Sequence, residues 1–158
     1  MTASGCAPTV LDYGRLMKKD LDYAEKAARV ASMALDISAF LQTEDPEVWA
    51  PKAENQPLIA FHSPCTLQHG LKSAGKVESL LVQAGFRLTH VPDSHLCCGS
   101  AGSYSILQQD ISNELLKRKL ECLEQEKPAL IATANIGCLM HLQGGTDLPV
   151  KHWIELLV

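Results

Sequence analysis

The chain has 158 residues, 46% hydrophobic and 20% charged, with a net charge of −4. That length suits one domain with a sizeable core, and an acidic balance argues against nucleic-acid binding, which shows as a basic patch or stripe. No apolar run approaches the roughly 18 residues of a membrane span, and Met1-Thr2-Ala3-Ser4 opens no signal peptide, so the expected setting is the cytoplasm, where thiols stay reduced.

The first predicted element is a short helix from Thr9 to Met17, with Val10, Tyr13, Leu16 and Met17 on one side. Asp20 is expected to cap a second helix that runs to about Gln42. Along it Tyr23, Ala27, Val30, Ala34, Ile37 and Leu41 draw one apolar stripe. Thr43 to Asn55 is acidic and proline-containing and reads as a loop around a short turn.

From Pro57 the pattern changes. Leu58-Ile59-Ala60-Phe61 is a short apolar run of the kind that forms a buried strand, and His62-Ser63-Pro64-Cys65 ends it. Val77, Leu80, Leu81 and Ala84 mark a helix closed by Gly85. Phe86 to Val91 reads as a second strand, ended by Pro92-Asp93. Tyr104, Leu107, Ile111 and Leu115 predict a long helix to about Glu126, with Cys122 a buried thiol on the same face. Ala129 to Thr133 is a third strand, and a helical turn from Ile136 is broken at Gly144-Gly145. Leu148-Pro149-Val150 is a candidate fourth strand leading into Trp153.

Strand and helix alternating in this way predict an α/β three-layer sandwich: a parallel sheet of about four strands, preceded by a helical N-terminal segment. The expected division is a helical segment at 1–45 and an α/β domain at 46–158. Ligands gather at the carboxyl edge of a parallel sheet. Cys65 follows the first predicted strand, Cys97 and Cys98 the second, and Cys138 the third, so all four should meet at that rim. Within His95-Leu96-Cys97-Cys98-Gly99-Ser100-Ala101-Gly102, adjacent cysteines are ill-placed to bridge each other, and the glycines let backbone approach a bound object. Six cysteines in a reducing compartment point to metal or redox chemistry rather than staples.

Pro64-Cys65, Cys97-Cys98-Gly99 and Cys138-Leu139-Met140-His141 resemble the cysteine-rich CCG domain, whose pattern is Cys, then Cys-Cys-Gly, then Cys-x-x-Cys. The wider text is similar to the C-terminal part of glycolate oxidase (glycolate dehydrogenase) iron–sulfur subunits, through His62 to His69, Pro92 to Gly102, Thr133 to Cys138 and His152 to Leu156. The resemblance implies a non-catalytic electron-transfer subunit of an oxidoreductase. A flavin-containing glycolate oxidase partner oxidises a 2-hydroxy acid, and electrons pass toward a quinone or respiratory acceptor. The implied cofactor is a 4Fe–4S cluster, cubane or non-cubane, with peripheral association to the inner face of a membrane through the complex. The family's N-terminal ferredoxin-like part and most of a first CCG half are missing from this stretch, so residues 1–45 are expected to be the tail of that half, and the isolated chain to be inactive.

The implied ligands are Cys65, Cys97, Cys98 and Cys138, with Gly99 shaping the turn. His141 stands where the pattern has its last cysteine, on the same helical face as Cys138, so joint ligation is feasible. Cys6 and His95 are further metal candidates, and His62 and His69 also flank the cysteines. Histidine does replace cysteine in some iron–sulfur centres, as in Rieske sites. Three cysteines with His141 would equally make a structural zinc site, so a zinc-binding assembly module without redox activity is the alternative. A thiol enzyme using Cys97 and Cys98 is a third.

Overall fold

The computed structural model describes residues 1–50 and 56–157. In chain order it forms α1 (Ala7–Leu11), α2 (Tyr13–Leu16), α3 (Ala24–Met33), α4 (Ile37–Leu41) and α5 (Pro46–Trp49), then β1 (Leu58–His62) and a π-turn over Thr66–Gly70. It continues with α6 (Lys76–Gln83), β2 (Arg87–Leu88), α7 (Tyr104–Leu107), α8 (Gln109–Glu124), β3 (Leu130–Thr133), α9 (Ile136–Gln143) and β4 (Val150–His152), and ends in a 3-10 turn at Trp153–Leu157.

The strands form one parallel sheet in the order β2-β1-β3-β4. This is the predicted α/β sandwich, and strand alternation builds its layers. Ile59, Phe61 and Ala132 face one side and pack with Val77, Leu80 and Leu81 of α6, Leu41 of α4 and Trp153. Ala60, Ile131 and Val150 face the other side and pack with Leu120 and Leu123 of α8 and Leu142 of α9. Cys98 and Cys138 belong to this second core, not to the surface. Among the described residues no helix is long and apolar enough to cross a membrane.

Several predicted elements differ. The helix expected from Thr9 to Met17 splits at Asp12, whose carboxylate turns to Arg15 and whose N–H bonds back to the carbonyls of Pro8 and Thr9. The helix expected from Asp20 to Gln42 starts late and stops early. Asp20 accepts from the N–H groups of Asp22 (3.0 Å) and Tyr23 (2.9 Å), making a turn ahead of α3. Past Met33 the backbone extends at Ala34 (ψ 127°) and Asp36 (ψ 146°). Met1 pairs with this break: its amino group donates to Leu35 O at 2.7 Å, and its carbonyl accepts from Ile37 N at 2.8 Å. Asp36 then caps α4 by accepting from Ser38 N at 2.9 Å. The single stripe is therefore lost, with Ala27 and Leu41 buried but Tyr23 56% and Val30 43% exposed.

The second strand pairs only at Arg87 and Leu88, as the sheet's edge, and the chain then leaves the sheet after one further bond from Thr89 N to Ile59 O. The long helix breaks at Gln108 (φ −129°, ψ 55°). That break turns Ser112, Lys119, Leu120 and Leu123 inward and leaves Leu107 and Ile111 exposed. Cys122 is half-buried rather than in the core. The expected loop at 43–55 does hold the short α5, while its last residues, 51–55, lie outside the described residues.

Candidate metal centre

The cysteines sit where three strands end. Cys65 follows β1 at the mouth of the π-turn, and Cys138 lies in the first turn of α9, just past β3. Cys97 and Cys98 occupy the loop between β2 and α7. Cys65, Cys97 and Cys138 line one cavity of about 580 Å³, together with Gly5, Ser100 and Asn135. Cys138 also faces inward. Its sulfur, that of Cys98 and a ring nitrogen of His62 all lie within 4.8 Å of one another, and all three residues are buried.

Mutual influence among the thiols matches that clustering. Cys138 and burial push Cys98 up to about 12. The Cys98 side chain, reinforced by burial, pushes Cys97 far above the ordinary thiol range. Burial and Cys97 raise Cys65, against the pull of the Thr66 N–H. A thiol nucleophile needs a depressed pKa. These thiols are held protonated, which disfavours the thiol-enzyme reading.

The double-cysteine loop is pinned from several directions. Lys119, 2% exposed, donates from Nζ to the carbonyls of Asp93 (2.9 Å) and Ser94 (3.3 Å). Arg118 pairs with Asp93 at 3.0 Å, and Gln68 donates to Ser63 O and Ser94 O. The N–H of Gly99 points at Cys97 Sγ, 3.3 Å away. Gly99 has φ +94°, and a Cβ there would stand 2.4 Å from Ser112 O. Glycine is thus demanded twice, by dihedral and by space. Ser112 Oγ donates to Gly99 O at 2.9 Å and lies 3.2 Å from His141 Nε2.

The N-terminal segment crosses the rim. Ser4 N donates to Ala134 O at 3.1 Å, Ser4 Oγ meets Thr66 Oγ1 at 3.1 Å, and His152 Nε2 lies 2.9 Å from Thr2 O. Asn135 caps α9 by accepting from Gly137 N at 2.9 Å, while its Nδ2 reaches Thr66 Oγ1. Gly5 lies against Asn135, where a Cβ would come within 2.6 Å of Nδ2.

Not every candidate joins the cluster. His141 is turned to Ser112 and Gly99, behind the double-cysteine loop. Cys6 is exposed at the start of α1, beside Gly5 but outside the cavity lining. His95 and His69 are exposed. His62 is the histidine set among the sulfurs. It is 2% exposed, and neither ring nitrogen has a hydrogen-bond partner among the described residues. Burial, with Lys119 as a nearby cation, pushes its pKa down to about 3, so the ring is neutral. A neutral imidazole with a free lone pair and two buried thiols, with Cys97 half-buried and Cys65 exposed at the same rim, is a donor set suited to iron–sulfur clusters or zinc. An orphaned buried polar ring costs about 1–3 kcal/mol, which a bound metal would offset.

The cysteine-rich (CCG) domain model matches residues 59–143. The glycolate oxidase iron–sulfur subunit of Escherichia coli (strain K12) is 47% identical over 99% of this chain, which spans 38% of that subunit's length. Lactate utilization protein A of Anoxybacillus flavithermus is 29% identical over 99% of this chain and 68% of its own. A probable glycolate oxidase iron–sulfur subunit of Bacillus subtilis (strain 168) is 27% identical over 92% of this chain and 33% of its own. The matched stretch covers more than half of the chain and contains Cys65, Cys97, Cys98, Gly99 and Cys138; this protein belongs to the cysteine-rich CCG domain family.

Proposed function

We propose that this chain is the cluster-bearing module of an oxidoreductase's iron–sulfur subunit, of the glycolate oxidase type. The supporting observation is the meeting of Cys65, Cys97, Cys98 and Cys138 at one edge of the sheet, with Cys98 and Cys138 buried beside His62. The relatives named as iron–sulfur subunits support the same reading. In it, residues 1–45 are the tail of a preceding CCG half and 46–158 the CCG domain.

In the whole assembly a 2-hydroxy acid loses two electrons and two protons to a flavin partner, leaving a 2-oxo acid. A 4Fe–4S cluster held by this module would supply one-electron steps toward a quinone or another respiratory acceptor, which takes up the two electrons. Contact with a membrane comes through the complex. The chain's own residues hold and insulate the site. Cys65, Cys97, Cys98 and Cys138 would hold the metal as thiolates, each giving up its proton, and the Lys119 ammonium would offset part of that charge. Ser112, Lys119 and Gln68 fix the loop, while residues 2–5 cover the rim.

A second reading is favoured by one observation: the buried His62, Cys98 and Cys138 bring three donor atoms together, and structural zinc takes nitrogen and sulfur donors of this kind. Anaerobic reconstitution with iron and sulfide separates the two. The expected result is brown protein whose iron content drops in Cys65→Ser, Cys97→Ser, Cys98→Ser and Cys138→Ser. Unchanged iron uptake in all four variants overturns the site, and colourless protein retaining stoichiometric zinc selects the structural reading.

A further inference from the structure

We infer that His62, not His141, is the nitrogen donor of the metal centre, binding metal beside Cys98 and Cys138. This rests on the metal-site reading above and adds a ligand to it. His62 ends β1, and strand alternation sends it to the same side as Ala60, into the core that holds Cys98 and Cys138. Its backbone is fixed there by pairing with Thr133, whose Oγ1 also donates to His62 O at 3.0 Å.

The ring has no other work. A structural core histidine normally fixes its tautomer by a hydrogen bond from one nitrogen. Here both nitrogens are buried and unpartnered among the described residues, and one of them lies within 4.8 Å of both sulfurs. His141, by contrast, has Nε2 engaged by Ser112 Oγ and lies against Gly99. Although it follows Cys138 by three residues on α9, its ring is turned to the double-cysteine loop through Ser112 and Gly99. The two histidines thus divide the labour: His62 binds and His141 positions.

Ligation by His62 is balanced simply. The neutral imidazole donates a lone pair and releases no proton, whereas each thiol releases one. A centre with one nitrogen donor carries less negative charge than an all-thiolate one and sits at a higher potential, as histidine ligation does in Rieske centres.

The test uses the full chain, reconstituted anaerobically with iron and sulfide and set in its paramagnetic redox state. Pulsed electron paramagnetic resonance is recorded with natural and 15N-histidine-labelled protein. The expected result is a strong nitrogen coupling that changes with the label, persists in His141→Gln and disappears in His62→Cys, whose iron content is retained. The midpoint potential falls in His62→Cys. A cysteine-dependent iron centre without histidine coupling in the wild type overturns the inference while leaving the metal site intact. Loss of coupling in His141→Gln reassigns the nitrogen and also overturns it. Failure of the wild type to take up any metal removes the site reading itself. The labelling experiment on unsubstituted protein stands even where His62→Cys fails to fold.

Discussion

Lys119 Nζ lies 2.9 Å from the carbonyl oxygen of Asp93, so a buried ammonium from α8 holds the turn that leads into the double cysteine. Asp93 sits at φ +49°, a left-handed conformation, and its carboxylate is tied to Arg118. A residue in that conformation persists where its surroundings over-determine it. Burial lowers the pKa of Lys119, while the nearby Cys122, Cys98, Asp93 and Cys97 pull the other way and favour the charged form.

Lys119→Met should therefore destabilise the protein by about 2 kcal/mol, the scale of a hydrogen bond from a charged donor. Urea unfolding of metal-free protein measures this. In the reconstituted protein the same substitution removes a cation beside the thiolates, so the midpoint potential should fall. A variant as stable as the wild type would show that the loop holds itself.

Gly99→Ala should be worse. The new Cβ meets Ser112 O at 2.4 Å and the dihedral is strained as well. We expect a loss of about 2–3 kcal/mol, from the usual cost of strain at such a position plus the displaced backbone. Iron uptake should fall with it, because the N–H of Gly99 no longer points at Cys97. Chemical denaturation and iron stoichiometry report the two effects separately.

Ser112→Ala removes the hydroxyl that joins Gly99 O to His141 Nε2. Leaving a buried acceptor unpaired should cost about 1–2 kcal/mol. Metal content should survive, because the cysteines keep their backbone positions. Thermal melts beside iron analysis check both halves.

Metal-free protein should lose stability on mild acidification. The His62 pKa falls from 6.5 in the unfolded chain to about 3 in the fold, so the unfolded state binds the extra proton between those values. The contribution is fully present above pH 6.5 and drains away as pH falls toward 3, by up to about 5 kcal/mol at 1.36 kcal/mol per unit. His62→Leu should flatten that limb of a stability–pH curve. At the other end Cys98, raised to about 12, favours the fold below the ordinary thiol pKa and loses that stabilisation as pH rises toward 12.

The sheet and the cysteine edge were legible because both rest on short apolar runs and on the rule that parallel strands end together. Leu58 to Phe61 and Ala129 to Thr133 carry that signal almost unaided. The helix breaks were not, because each depends on a polar detail outside helical periodicity: Asp12 turning to Arg15, Met1 pairing across Leu35 and Ile37, and Ser112 and Lys119 occupying a buried face. The burial of His62 and the exposure of His95 were hidden for a similar reason. Proximity in the text favoured His95, yet it is exposed. The parity of β1 carried the signal of burial: His62 shares a face with Ala60 and so enters the core.

The parallel sheet also sets an order of events during biogenesis. Cys65 and Cys138 approach each other only after β3 has docked beside β1, through pairs such as Ile59 with Leu130 that are far apart along the chain. Unlike a zinc finger, which is organised by its ion from the unfolded state, a centre shared by these thiols would presuppose a sheet in which β3 already lies beside β1.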